Sequence, residues 1–261
     1  MSIIVLKDLL RFKMDQRIKL NNDASELWDT QPCGMEVVSG KNQVEKIDSL
    51  MALRQIDCPE IYQYLRTMSL ENKMVLELGC GTGIDSRELI QKGSKLTSVD
   101  FSKASLHLAK EFLQEVFPGK ELSLIHASSH ATNLPDEHFD IIYSHGSIHH
   151  SPLFPEICKE INRMLKPGGK ALIMVYRKPS LMYLHAKLGR LIDYNAPVSL
   201  FLSDAELRKA MSPLKEVWRK NYYFARPHVT RIGKYIPAFM ERLLGRFFGA
   251  CQLVEFKKLD A

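Results

Sequence analysis

The feature that most constrains the fold is a short apolar strand that runs directly into a glycine-rich turn, MVLELGCGTG, at residues 74–83. Three glycines, Gly79, Gly81 and Gly83, stand at alternate positions in this turn. Because glycine has no Cβ atom, the backbone there can come close to a neighbouring group or a ligand. The sequence therefore predicts a binding turn at the end of a buried strand.

Short apolar runs then alternate with helical patterns as far as residue 176. The candidate strands are MVLEL, KLTSV, ELSLIH, FDIIYS and KALIMVY, and the helical segments between them are IDSRELIQK, KASLHLAKEFLQEV and FPEICKEINRML. Strands that alternate with helices of this length indicate a parallel sheet covered on both faces. The Pro-Gly breakers at 118–119 and 167–169 fall where connecting turns are expected.

The flanking segments have a different character. Residues 1 to about 70 have helical periodicity, and Pro59 is expected to restart a helix. Residues 177–202 are apolar and aromatic with few strand signals, and Ser203 is placed to cap a helix. KEVWRKNYYF and ACQLVEF are predicted as two further strands, separated by a basic helical stretch, RIGKYIPAFMERLLGRFF.

These boundaries predict two units. Residues 1–72 would form a helical extension or lid packed on the core, and residues 73–261 would form the binding domain. Within that domain, 177–213 is expected to be an insertion that covers the acceptor site, and 214–261 to hold the last two strands with the basic helix between them.

Composition narrows the class of protein. The chain has 261 residues, 45% hydrophobic and 25% charged, which is ordinary for a globular protein with a full core. No apolar run approaches the roughly 18 residues that span a bilayer, so neither a signal peptide nor a transmembrane anchor is expected. Five cysteines without zinc-ligand spacing favour a reducing, cytoplasmic compartment.

Charge is distributed unevenly. Residues 1–169 carry 19 Lys/Arg against 23 Asp/Glu, whereas the last 92 residues carry 17 against 7. A basic C-terminal third can attract an anionic small molecule, a nucleic acid or an acidic membrane surface. Its helical stretch, 231–247, has one apolar side made of Ile232, Ile236, Phe239, Leu243 and Phe247. That side is expected to pack against the sheet, with peripheral membrane contact as the alternative.

The glycine turn is followed by an acid at the end of the next strand. Dinucleotide sites have the pattern G-x-G-x-x-G, but the third glycine position here is Ile84, and the chain has no phosphate-binding loop of the G-x-x-x-x-G-K type. Asp100 closes the strand KLTSVD, where a carboxylate can accept hydrogen bonds from both hydroxyls of a ribose. The predicted ligand is therefore a nucleoside without a pyrophosphate.

Over roughly residues 70–176, these motifs resemble those of the class I S-adenosylmethionine-dependent methyltransferases. VLELGCGTG is similar to the first motif, SVDFS to the second, and NLPDEHFDIIYSHGSIHH with INRMLKPGGKALIMVY to the fourth and fifth strands. The amino-acid sequence of these motifs is most similar to that of the small-molecule group typified by the ubiquinone and menaquinone methyltransferases. The resemblance implies an α/β, Rossmann-like fold with a doubly wound, mostly parallel seven-stranded sheet. It also implies S-adenosyl-L-methionine as cofactor and a small-molecule acceptor.

The resemblance further implies the cofactor contacts. Glu77 would lie beneath the methionine end, Asp100 would bind the ribose hydroxyls, and Phe101 would lie against the adenine. Where the family has Gly-Asp-Ala before Asn-Leu-Pro, this chain has Ser129-His130-Ala131. A neutral His130 would accept a hydrogen bond from the adenine amino group, or its ring would point elsewhere. The predicted cofactor-binding set is Glu77, Gly79, Cys80, Gly81, Gly83, Asp100, Phe101, Ser129, His130 and Ser144.

Methyl transfer from a sulfonium is an in-line displacement, so the protein must chiefly align acceptor and methyl group and exclude water. A general base helps if the acceptor is a hydroxyl, a thiol or an acidic carbon, by about 10²–10⁴-fold. His145, nearest the end of the fourth strand, and His149, expected to begin the following helix, are the candidate bases. Neither a metal ion nor a covalent nucleophile is required, and a metal site at these histidines would lack a carboxylate or thiolate ligand.

Two further groups are candidates for the acceptor site. Residues Trp28 to Gly34 resemble a segment that folds over the pocket in related methyltransferases, although Cys33 precedes the first strand and is not expected to be a nucleophile. The aromatic side chains after the fifth strand would line either the core or a pocket for an aromatic or lipophilic acceptor. They are Tyr176, Tyr183, Tyr194 and Phe201, with Tyr222, Tyr223 and Phe224 further along.

Two other functions remain open from the sequence. A nucleic-acid-directed methyltransferase would use the basic C-terminal third, but the N-P-P-Y or D-P-P-Y box for base amines and any RNA-binding module are missing from the sequence. A non-methylating enzyme, such as a cyclase or decarboxylase, or a regulatory binding protein could use the same pocket.

Overall fold

The computed structural model describes residues 2–4, 11–32, 40, 42–188, 198–224 and 235–260. The strands in these ranges are β1 Ser2–Ile4, β2 Met74–Leu78, β3 Lys95–Asp100, β4 Ser123–His126, β5 Phe139–His145, β6 Leu165–Tyr176, β7 Val198–Leu200, β8 Lys215–Tyr222 and β9 Cys251–Lys257. The α-helices are α1 Met14–Thr30, α2 Gln43–Asp57, α3 Pro59–Thr67, α4 Ile84–Gln91, α5 Lys103–Val116, α6 Phe154–Met164, α7 Leu181–Lys187, α8 Asp204–Met211 and α9 Ala238–Phe248.

Seven strands form one sheet in the order β4-β3-β2-β5-β6-β9-β8. The pairs from β4 to β6 are parallel, whereas β9 is antiparallel to both β6 and β8. The predicted α/β, mostly parallel, seven-stranded fold is confirmed. Strand order reverses between β2 and β5, and ligands of such sheets bind at the carboxyl ends of the strands beside this reversal.

Helices cover both faces of the sheet. Adjacent residues of a strand point to opposite faces, so Leu76 is in a buried cluster with Phe154 of α6, while Val75 is in another with Leu65 of α3. Burial of both faces explains why the strand sequences are continuous apolar runs. Pro59 begins α3, and Ser203 caps α8, as predicted.

The prediction of an all-helical N-terminal segment is wrong at residues 2–4. These residues form β1, which pairs in parallel with β7 at Val198–Leu200, inside the segment predicted to have few strand signals. Each strand is only three residues long, and the two lie almost 200 positions apart in the sequence. No local periodicity reveals such a pair, because each strand is stabilised by the other.

The predicted turn at 167–169 lies within β6 instead of separating a helix from a strand. Phe139 of β5 pairs with Leu165, and the next pair joins Ile141 to Lys170, so residues 166–169 bulge from the sheet. Gly168 adopts a φ of +75°, which glycine accommodates without strain. The breaker residues therefore interrupt the register of the strand, while β6 begins earlier than predicted.

The basic helix also differs from its prediction. It begins at Ala238, and residues 225–234 lie outside the described ranges. Phe239, Leu243 and Phe247 are 65%, 56% and 57% exposed, so the expectation that this row packs against the sheet is wrong. The helix approaches the sheet through buried Gly245, where an added Cβ would lie 3.4 Å from the Cα of Tyr222. Close backbone contact on that side leaves the apolar row facing outward.

None of the described helices combines the length and apolar character that crossing a bilayer requires. Cys80 and Cys158 are buried free thiols.

Candidate cofactor and acceptor site

The glycine turn follows β2 at the carboxyl edge of the sheet. Gly79, Gly81 and Gly83 have φ values of +73°, +54° and +83°. An added Cβ at Gly79 would lie 1.8 Å from Ser147 Oγ, whereas one at Gly81 would meet no described atom within 4 Å. Packing thus requires glycine at position 79, while Gly81 borders open space.

Asp100 lies beside this space at the end of β3. Its Oδ2 accepts a hydrogen bond from the backbone N–H of Gly81 at 2.8 Å, and its Oδ1 accepts from Ser102 N–H at 2.9 Å. Burial raises the pKa of Asp100, while these hydrogen bonds act in the opposite direction. A carboxylate offers about four acceptor sites, so about two remain for other donors. Asp100 therefore retains acceptor capacity beside the open space at Gly81.

Glu77 is a buried carboxyl group on β2, ahead of the turn. It accepts hydrogen bonds from the hydroxyls of Ser98, at 2.9 Å, and Ser86. Burial, reinforced by the nearby charge of Asp85, raises the pKa of Glu77 to about 7. The carboxyl is thus poised to titrate near neutral pH, and a cation bound close to it would favour the ionised form.

The remaining predicted cofactor residues have different environments. Ser144 is fully buried, and its Oγ donates to the carbonyl of Leu78 at 2.9 Å, so its side chain joins β5 to β2 instead of facing the open space. The Cys80 thiol is buried, and burial raises its pKa. Phe101 is half-buried, and its carbonyl accepts from Ser25 Oγ at 3.1 Å.

His130 and Ser129 lie in the connection after β4, and both are half-buried. His130 Nδ1 lies 2.6 Å from Ser128 Oγ. Burial lowers the pKa of His130, which favours the neutral ring. A neutral imidazole keeps one acceptor nitrogen, as the predicted adenine contact requires.

Helix α1, part of the segment predicted to form an extension or lid, lies across the carboxyl edge. At one end of this contact Ser25 donates to the carbonyl of Phe101, and at the other Arg17 Nε donates to the carbonyl of Pro152 at 2.9 Å. Arg17 also forms an ion pair with Glu156 at 2.5 Å. The helix therefore bridges the segments that follow β3 and β5, on either side of the strand-order reversal.

The two candidate bases differ in environment. His145, the last residue of β5, keeps 7% of its surface exposed, and its Nδ1 lies 2.8 Å from Asp85 Oδ2. His149 has no exposed surface, and neither of its ring nitrogens has a hydrogen-bond partner among the described residues. His149 lies in a 3₁₀ turn at Ile148–His150, so the prediction that it begins the next helix is wrong; α6 begins at Phe154.

Burial lowers the pKa of both histidines, and it does so against the attraction of Asp85 in the case of His145. The rings are therefore neutral near pH 7. Asp85 was not singled out from the sequence. An acidic residue in the first turn of a helix ordinarily indicates helix-dipole compensation, so only its buried neighbours distinguish it.

A continuous group of aromatic rings extends from His149. The ring centroid of His149 lies 4.1 Å from that of Tyr176. The ring centroid of Phe201 lies 5.4 Å from that of Tyr176 and 5.4 Å from that of Tyr183. Trp28 of α1 lies 6.0 Å from His150, the neighbour of His149. Tyr194, Cys33 and Gly34 lie outside the described residues. The described ranges contain no cluster of three or more His, Cys, Asp or Glu side chains that could hold a metal ion.

The strand order, the glycine turn and the acid at the end of β3 are together the features expected of a nucleoside-binding α/β domain. Comparison with known proteins agrees, since residues 76–173 match the family model described as a methyltransferase domain. Residues 76–173 are therefore similar to a methyltransferase domain, and the cofactor of that class is S-adenosylmethionine.

Among curated proteins, a ubiquinone biosynthesis O-methyltransferase of Pseudomonas entomophila (strain L48) is 32% identical over 122 residues, which cover 47% of this chain and 52% of that protein. The chain thus spans about half the length of the curated relatives it matches.

Two solved structures show the same fold. An S-adenosylmethionine-dependent methyltransferase from Mesorhizobium loti has a TM-score of 0.57 and 16% identity, covering 75% of this chain and 96% of that one. The [4+2]-cyclase SpnF has a TM-score of 0.56 and 16% identity, covering 94% and 95%.

Proposed function

We propose that this protein transfers a methyl group from S-adenosylmethionine to an oxygen atom of a small, quinone-like or other aromatic acceptor. The observation that carries the proposal is the pairing of Gly81, which borders open space, with the buried carboxylate of Asp100, which retains acceptor capacity beside it. These two features fit an adenosine ribose at the edge where ligands of this fold bind.

The cofactor, when bound, supplies a methyl group already activated by the sulfonium charge. The protein's own residues have the tasks of binding and alignment. Asp100 would accept hydrogen bonds from the ribose hydroxyls, and the Glu77 carboxylate would attract the positively charged methionine end. Phe101 and His130 would contact the adenine. Helix α1, which crosses the edge, would exclude water from the reacting atoms.

Two findings support an aromatic oxygen acceptor. The rings of His149, Tyr176, Phe201 and Tyr183 form an apolar, aromatic group after β5 and β6, which suits a flat lipophilic molecule. The curated relatives are named as O-methyltransferases of ubiquinone biosynthesis. A phenolic or enolic hydroxyl benefits from a base, and His145 and His149 are the candidates. The free thiols of Cys80 and Cys158 accord with the reducing cytoplasm that we propose as its location.

The direct test is incubation of the protein with a metabolite extract and a donor whose methyl group is deuterated. We expect at least one low-molecular-weight product to gain a single labelled methyl group, detected by mass spectrometry, with release of S-adenosylhomocysteine. Label found only in RNA would support the nucleic-acid alternative. Saturable donor binding without label transfer to any compound would favour a non-methylating enzyme or a binding protein.

We also propose peripheral contact with an anionic membrane through α9. Phe239, Leu243 and Phe247 form an exposed row, and the exposed residues Arg242 and Arg246 flank it. Exposed apolar side chains bordered by arginines match an anionic lipid surface in both polarity and charge. Such contact would bring the enzyme close to lipophilic acceptors.

Vesicle sedimentation tests this contact. The protein should bind vesicles that contain phosphatidylglycerol at low salt and bind pure phosphatidylcholine weakly. Leu243→Ser should reduce that binding several-fold, because it removes the centre of the apolar row. Val217→Ser, at a similarly exposed position on β8, is the matched control and should bind like the wild type. Equal binding by both variants would exclude α9 as the contact.

A further inference from the structure

Asp85, in the first turn of α4, is a buried carboxylate surrounded by donors from three other elements. It accepts hydrogen bonds from Tyr62 OH of α3 at 2.8 Å, Tyr143 OH of β5 at 2.9 Å, Arg54 Nη1 of α2 at 3.1 Å and His145 Nδ1 of β5 at 2.8 Å. None of the sequence motifs accounts for this cluster, and the predicted cofactor contacts do not include it.

The charge state of Asp85 follows from these partners. Burial alone would raise the pKa of Asp85, but Arg54 and His145 hold that pKa below its ordinary value. An ionised carboxylate can only accept hydrogen bonds, so His145 must donate through Nδ1. Because burial keeps the ring neutral, the other nitrogen, Nε2, then carries a lone pair and no proton.

The position of His145 places this tautomer at the edge of the sheet where ligands of this fold bind. The residue ends β5 at the carboxyl edge, beside the reversal of strand order, and keeps 7% of its surface exposed. Nε2 has no hydrogen-bond partner among the described residues. His149, in contrast, has no carboxylate partner and no exposed surface. Of the two candidate bases, only His145 has both a carboxylate partner and some exposed surface.

We infer that Asp85 is a positioning residue for methyl transfer: it orients His145 and selects the tautomer whose unprotonated Nε2 faces the acceptor hydroxyl. This inference rests on the proposed function. His145 takes the hydroxyl proton onto Nε2 while the acceptor oxygen bonds to the methyl carbon and the bond from that carbon to sulfur breaks. The sulfonium charge is lost, and the positive charge passes to His145, beside the negative charge of Asp85.

A purely structural role predicts different behaviour. Tyr62 and Arg54 alone would suffice to tie α3 and α2 to the carboxylate, and the protonation of His145 would then be irrelevant. The charged groups that face His145 are Asp85 from α4 and Arg54 from α2, with neutral His149 also nearby. Asp85 raises the pKa of His145 and Arg54 lowers it, so neutralising Asp85 should lower the pKa of the base.

The first experiment needs no acceptor. ¹⁵N NMR of histidine-labelled protein at pH 7, with the His145 signal assigned by its loss in His145→Gln, should show a proton on Nδ1 and none on Nε2. In Asp85→Asn the amide can donate to Nδ1, so the proton should move to Nε2. A wild-type ring protonated on Nε2 would overturn the inference whether or not any variant folds.

The second experiment measures kinetics with an acceptor from the labelled-methyl screen. Asp85→Asn should lower kcat by up to the contribution of a general base, which is about 10²–10⁴-fold. The affinity for S-adenosylmethionine should change less than about threefold, and the lower limb of the pH profile should move to lower pH. Tyr64→Phe is the matched control, since it removes a tyrosine hydrogen bond to another buried carboxylate, Glu255, on the same face of the sheet. It should leave kcat near the wild-type value.

The outcomes separate the two proposals. Wild-type kcat in Asp85→Asn, or an equal loss of kcat and cofactor affinity, would overturn the positioning role while methyl transfer by the wild type still supported the proposed function. A wild-type protein that transfers no label would count against the proposed function and, with it, against the base role of His145.

Discussion

Asp100→Ala should reduce the affinity for S-adenosylmethionine by about 100-fold or more in a calorimetric titration. The substitution removes the acceptor that we assign to two ribose hydroxyls, and each hydrogen bond to a charged group contributes about 1.5–3 kcal/mol. It also removes the acceptor of the hydrogen bonds that the backbone N–H groups of Gly81 and Ser102 donate to Asp100. Both losses fall on the cofactor turn.

Asp140→Ala is the matched control for this result. Asp140, at the start of β5, likewise accepts from a backbone N–H, that of Met74 at 2.8 Å, and pairs with Lys166 at 3.0 Å. It lies at the opposite end of the strand from the cofactor edge. We expect its loss to affect stability and leave cofactor affinity nearly unchanged. Unaltered affinity in Asp100→Ala would remove the ribose role from that residue.

Gly81→Ala should separate binding from folding. An alanine at a φ of +54° costs about 1–2 kcal/mol, a loss of several degrees in Tm for a chain of this size. Its Cβ would meet no described protein atom within 4 Å, so the protein should fold. The same methyl group would occupy the space that we assign to the cofactor, and affinity should fall by about 100-fold.

Gly119→Ala supplies the comparison, because Gly119 has a φ of +76° and its added Cβ also meets no described atom within 4 Å. Gly119 lies in the connection between α5 and β4, away from the glycine turn. Both alanine variants should therefore lose similar Tm in thermal unfolding, and only Gly81→Ala should lose cofactor binding. Similar affinities in the two variants would show that Gly81 does not border the cofactor.

The correct and the wrong predictions have different physical origins. Burial on both faces of a parallel sheet requires apolar residues at successive positions, so the runs around Val75 and Ile142 revealed their strands locally. β1 was missed because, among the described residues, it pairs only with β7, which is equally short. The row containing Leu243 was expected to be buried, yet the side of α9 that contacts the sheet is decided by the small size of Gly245.

The same distinction applies to the site. Gly81 and Asp100 were recognisable because a turn close to a ligand needs glycine, and the end of a parallel strand places an acid at the binding edge. His145 and His149 could not be told apart in the sequence, since both lie in one short histidine-rich segment. Their difference arises from Asp85, which lies 60 residues from His145 and contacts it only after the sheet has formed.

The alternation of strands and helices from β2 to β6, and the position of the glycine turn, were thus determined by the sequence alone, because hydrophobic periodicity and glycine geometry act over a few neighbouring residues. The tertiary structure alone decided the partner of β1, the outward side of α9 and the environment of each histidine. Burial, ionisation and tautomer depend on atoms that distant segments bring together, and no local pattern encodes that neighbourhood.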